Sequence, residues 1–77
     1  MSADKMFEEL GYKFFEENDY FIEYKNKLDN CSKFIRFELL EKIFTSFYYV
    51  VPDRQSYITM QELKAINMKV EELGWNK

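Results

Sequence analysis

Histidine is absent from the chain, and that excludes the commonest catalytic chemistry first. Without an imidazole there is no ordinary general base near neutral pH and no usual activator for a serine or cysteine nucleophile. The single cysteine, Cys31, forms no internal disulfide and belongs to no zinc-binding spacing. It reads as a passive thiol at a loop end, suited to a reducing compartment. Only two glycines occur, Gly11 and Gly74, so no glycine-rich loop is present to cradle a phosphate. The one proline is Pro52. No apolar run approaches the 18 or so residues of a membrane span, and the start "MSADKMFEEL" is too acidic and polar for a signal peptide. Basic residues number 11 against 14 acidic ones, and they are scattered rather than clustered. Direct nucleic-acid binding wants a basic cluster and is therefore not expected.

Carboxylates are plentiful, but Glu8–Glu9, Glu16–Glu17 and Glu71–Glu72 are sequence neighbours. Neighbours on a helix point about 100° apart, so such pairs do not share a site and read as solvated charge. "NKLDN" has oxygen donors around Asp29 but no closing Glu, which leaves calcium without a complete ligand set. The residues thus predict no catalytic site, no metal, no cofactor and no small-molecule substrate. The chain is expected not to be an enzyme.

What is abundant is aromatic. Eight Phe, six Tyr and one Trp make up 19% of 77 residues, which argues against disorder. A chain of this length forms one domain, here residues 1–77, and buries only about 60–65% of its unfolded surface. Each large side chain therefore carries weight.

"YITMQELKAINMKVEELGW" carries its own punctuation. Thr59 with Glu62 three residues on is a capping box, and Ile58 with Leu63 is placed for a hydrophobic staple. Leu63, Ile66, Val70 and Leu73 form one apolar stripe, with Lys64, Lys69, Glu71 and Glu72 away from it. Gly74 supplies a left-handed stop, with Trp75 placed to fold back on Val70. A helix from Met60 to Leu73 is expected. "FEELGY" at 7–12 repeats the stop signal of "VEELGW" at 70–75, so a short helix from Ala3 to Leu10 is expected, with Phe7 and Tyr12 in contact. The flanking residues do not align, so the echo reflects shared physics rather than duplication.

The middle is aromatic and β-branched. Asn18–Asp19 separates strands at 12–17 and 20–25, "NKLDNCS" is a polar loop, "KFIRFEL" alternates strongly, and "IFTSFYYV" makes a fourth strand that Pro52 ends. The sum is an α+β domain: a short N-terminal helix, a four-stranded antiparallel meander sheet, and a C-terminal helix packed on one face. The face toward that helix is expected to carry Phe15, Tyr20, Ile22, Tyr24, Ile35, Phe37, Leu39, Phe44 and Tyr48. The other is expected to carry Phe14, Phe21, Glu23, Phe34, Arg36, Glu38, Thr45 and Phe47. A one-residue slip in any turn would exchange the two sets.

A sheet covered on one side ordinarily turns polar residues outward. Here several Phe face out, which reads either as cross-strand pairing, Phe beside Phe and Glu beside Arg, or as a contact patch. The residues expected to bind protein are Phe14, Phe21, Phe34, Arg36 and Phe47. Open strand edges offer a second route, by strand addition.

The "ELGY" start and above all the "ITMQELKAIN…ELGW" helix resemble a group of small bacteriophage- and prophage-encoded proteins with no assigned activity. The resemblance runs along nearly the whole chain and is most specific in the last third. It implies a phage or prophage accessory protein working in the cytoplasm of a bacterial host, and it transfers no functional residue. The expected function is non-enzymatic binding of a host or phage protein, inhibition of a host defence system being one such role. One alternative is an acidic nucleic-acid mimic that occupies a nucleic-acid-binding groove, motivated by the net charge of −3. Another is a self-associating structural protein, a homodimer whose partner is itself.

Overall fold

The computed structural model describes residues 1–49 and 56–76. The order of elements is α1 (Ala3–Glu9), β1 (Lys13–Glu17), β2 (Phe21–Lys27), β3 (Ser32–Glu38), β4 (Ile43–Tyr49) and α2 (Met60–Leu73). The strands form one antiparallel sheet in chain order, with both helices on the same side. This is the α+β arrangement expected from the sequence. The end of the fourth strand at Val50 and its stop at Pro52 lie outside the described residues.

Local signals explain most of the boundaries. Ser2 caps α1 by accepting from the Lys5 N–H at 3.2 Å. Gly11, at φ 96°, then lets the Gly11 and Tyr12 N–H groups reach back to the Glu8 and Phe7 carbonyls at 3.0 and 2.9 Å. A side chain there would be strained in backbone, and its Cβ would crowd Asn26 at 3.2 Å. α2 ends the same way: Gly74 (φ 76°) donates to Glu71 and Trp75 to Val70. The Asn18 side chain accepts from the Tyr20 and Phe21 N–H groups at 2.8 and 3.0 Å and so shapes the first hairpin. The second hairpin is tighter than "NKLDNCS" suggests. Asn26, Lys27 and Ser32 join the ladder, and Leu28 donates to the Cys31 carbonyl at 2.8 Å. Cys31 itself is buried.

The core lies between sheet and helices. Phe7, Tyr12, Ile22, Tyr24, Ile35, Phe37 and Ile66 are all nearly or fully buried, as are Ala3 and Ala65. α1 is central to it despite its seven residues. Phe7 stacks on Tyr24 with centroids 4.3 Å apart and meets Tyr12 and Phe37 edge-on. The Tyr24 hydroxyl donates to Asp4, and the Ala3 N–H donates to Glu72 on α2 at 2.7 Å. A helix this short does not persist alone in water. Its anchorage is tertiary.

Two sequence expectations need correction. The buried side of α2 is turned relative to the Leu63–Ile66–Val70–Leu73 stripe. Glu62, Ala65 and Ile66 are buried, with Val70 and Leu73 packed behind them, while Leu63 is only half-buried. Lys69, expected to fall away from the stripe, is mostly covered and reaches over the Tyr24 ring. The reason is Glu62, whose carboxylate enters the core because every bond it needs waits there.

The second correction concerns β1. Next to the turn, Glu17 pairs with Ile22 and Glu16 with Glu23. Continued, that register would set Phe15 opposite Tyr24, as expected. A bulge between Phe14 and Glu16 takes up one residue, so Phe14 pairs with Tyr24 instead. Phe14 therefore lies on the helix side, edge-on to Tyr24 at 6.0 Å. Phe15 turns to the opposite face.

Candidate interaction face

The side of the sheet away from the helices is a layer of interlocked aromatic and charged groups. Pairing in register places Phe21, Glu23, Lys25 and Lys27 of β2 beside Glu38, Arg36, Phe34 and Ser32 of β3. Ile43, Thr45, Phe47 and Tyr49 of β4 continue the rows. Period-two alternation puts all of these on one face, and the helices occupy the other.

Arg36 is the hub. Its Nε donates to Glu23 Oε2 at 2.7 Å. Its guanidinium lies over Phe21 at 4.2 Å and Phe47 at 5.3 Å. Phe47 stacks on Phe34 with centroids 5.1 Å apart, and Phe34 meets Phe15 edge-on at 5.6 Å. Lys25 Nζ sits 5.0 Å from the Phe15 centroid and 5.9 Å from that of Phe34. Each such cation–ring contact is worth about 0.5–1 kcal/mol at an exposed site, and each ring pair about as much. The layer is thus held in place by its own contacts. Glu23 and Phe34 are only 3% and 7% exposed although no helix covers them. Around them Phe15, Ile43 and Tyr49 remain open.

Of the five residues expected to bind protein, Phe21, Phe34, Arg36 and Phe47 come together on this face. Phe14 does not. The bulge replaces it with Phe15, which strict alternation could not foresee. Lys25 and Tyr49 were also missed; the pairing of β2 and β4 with β3 brings them in.

A second polar cluster lies on the helix side. Lys33 Nζ donates to both oxygens of Glu62, at 2.9 and 3.1 Å, and to the Tyr57 carbonyl at 2.6 Å. Tyr12 donates to Glu62 Oε2 at 2.7 Å, and the Thr59 N–H donates to Oε1 at 2.9 Å. Burial alone would raise the Glu62 carboxyl's pKa. The Thr59, Tyr12 and Lys33 donors outweigh it and hold the group below its usual range. Burial, then the bond to Glu62, pushes the Tyr12 phenol far above its ordinary value; burial, then Asp4, does the same for Tyr24. These perturbed groups have a structural cause. Among the described residues no buried side-chain polar atom is left without a hydrogen-bond partner. The cluster ties β3, the link between α1 and β1, and the start of α2 together.

Among the described residues no group of three or more His, Cys, Asp or Glu side chains could hold a metal ion. No helix there is long and apolar enough to cross a membrane. No family model matches the chain, and neither does any curated protein or solved structure.

Proposed function

We propose that the protein is a non-enzymatic docking module that binds protein through the uncovered face of its sheet. The observation that carries this reading is the preassembled Phe21–Arg36–Phe47–Phe34–Phe15 layer, which no helix covers, on the side where a two-layer domain ordinarily turns polar residues to water. Aromatic and arginine side chains held rigidly at the centre of a patch are the groups that dominate binding energy at protein interfaces. The setting we propose is that of a phage or prophage accessory protein in a bacterial cytoplasm. Its support is the resemblance of the "ELGY" and "ITMQELKAIN…ELGW" segments. Blocking a host defence protein is one task for such a surface.

Two nucleic-acid readings have less support. A single strand could stack on aromatic rings, but Glu16, Glu23 and Glu38 share the face and would repel its phosphates. Mimicry of nucleic acid needs a continuous acidic stripe, and here Lys13, Lys25, Lys27 and Arg36 interrupt those glutamates.

Site-specific photo-crosslinking in cells tests the docking reading. A photoreactive residue at Tyr49, 65% exposed on the open face, is expected to give discrete protein adducts. The same residue at Lys64, exposed on α2, is expected to give none. Adducts absent from Tyr49, or equal at both positions, would overturn it.

A further inference from the structure

The hairpin of β1 and β2 holds two rungs that work against an isolated molecule. Lys13 lies directly opposite Lys25, and one step along the same face Glu16 lies directly opposite Glu23. Like charges across a strand pair are destabilising. Arg36 relieves Glu23. Lys25 leans over Phe15 and Phe34. Lys13 and Glu16 are exposed, and no ion pair within the described residues engages either one. The face therefore presents Lys13 and Lys25 beside an exposed Glu16, with Glu23 covered and paired to Arg36.

We infer that the occupant of the open face is a second copy of this chain, stacked sheet on sheet about a two-fold axis that crosses the strands between these two rungs. That rotation lays each strand antiparallel on its own copy. It exchanges neighbouring rows, so the Lys13–Lys25 rung of one protomer meets the Glu16–Glu23 rung of its partner, twice by symmetry. On β3 the same operation sets Phe34 over Arg36, and on β4 it sets Phe47 over Thr45. Each exposed Lys13 then faces the exposed Glu16 of the partner protomer. A two-fold axis along the strands would instead bring β1 over β4, leaving Lys13 and Glu16 against the uncharged residues of β4.

The size fits a modest dimer. Four strands about 4.8 Å apart and about 3.3 Å per residue give a face of roughly 20 by 20 Å. With side-chain relief the pair would bury about 1,000 Å² in total, at the low end for specific interfaces. Stacked sheets lie about 10 Å apart, within reach of a lysine and a glutamate extended toward each other.

This inference rests on the docking reading and names its partner. The test is sedimentation equilibrium at low salt, from about 10 to 500 µM, the range such an area suggests. The wild-type mass is expected to rise from 9.5 kDa toward twice that value. K13E and E16K each set like charges across the interface, and each is expected to dimerise at least about tenfold more weakly. Each also converts its own rung to an opposite-charge pair, so circular dichroism should show both folded. Mixed in equal amounts, the two variants are expected to pair with each other, because every 13–16 contact is then attractive. A wild type that stays monomeric throughout would overturn the inference, as would variants that self-associate like wild type or a mixture that fails to pair. If the protein is monomeric while Tyr49 still crosslinks to a foreign protein in cells, the second copy is excluded and the docking reading stands.

Discussion

The two faces of the sheet solve one problem in different ways. Each holds a cation paired with a glutamate and flanked by aromatic rings. Toward the helices, Lys33 and Glu62 are sealed, with side chains 5% and 9% exposed, and Tyr57 and Tyr48 lie beside the ammonium. On the open side, Glu23 is as deeply covered as Glu62, but its partner Arg36 is 33% exposed. A sealed pair holds a fold together because neither charge can recover water if the other is lost. A half-open pair keeps one member available to a partner. The same residue types are thus sealed or left half-open according to what lies above them.

One substitution applied to both faces separates these roles. Lys33→Met leaves Glu62 charged and enclosed, and is expected to cost about 3–5 kcal/mol in urea unfolding. A cost near that of the open-face change would mean that Glu62 is no more dependent on its partner than Glu23. Alkaline pH probes the enclosed side again. Tyr12 and Tyr24 have folded-state pKa values raised above the unfolded value of about 10. Their contribution is complete below that pH and is lost as the pH climbs above it, at about 1.4 kcal/mol per pH unit for each tyrosine. Unfolding midpoints followed from pH 8 to 11 should be level at first and then fall, and substituting either residue with Phe should make the fall shallower. Arg36→Met is expected to be the mildest, about 1 kcal/mol at low protein concentration, because the guanidinium it removes is itself one-third exposed, so the lost pair is partly screened by water. A penalty that grows with protein concentration would show the open face covered by a second copy.

Much of the architecture was readable because its signals are local. The capping box at Thr59 and Glu62, the glycine stops after both helices and the alternation of β3 each involve residues within a few positions of one another. Four of the five residues expected to bind protein share the open face: Phe34 and Arg36 by that alternation, Phe21 and Phe47 because β2 and β4 pair with β3 in register. What stayed hidden depends on distant partners. Glu62 reads in the sequence as a capping carboxylate, and it is one. Only the meeting of Tyr12 and Lys33 from two other elements makes it a core residue, and with it the whole helix turns. Phe14 and Phe15 are consecutive and chemically identical, so nothing in the residues themselves says which one a bulge will swing outward. The weight carried by α1 was equally hidden, since seven residues give no hint that Phe7 will stack on a tyrosine from β2.

That bulge has a further consequence. β1 is an edge strand, and aromatic edge strands invite the next molecule to add itself to the ladder without limit. A displaced residue breaks the even run of amides and carbonyls that an incoming strand would have to match, and it bends the rim away. In a chain so rich in phenylalanine, that irregularity makes the β1 rim a poor template for open-ended ribbons.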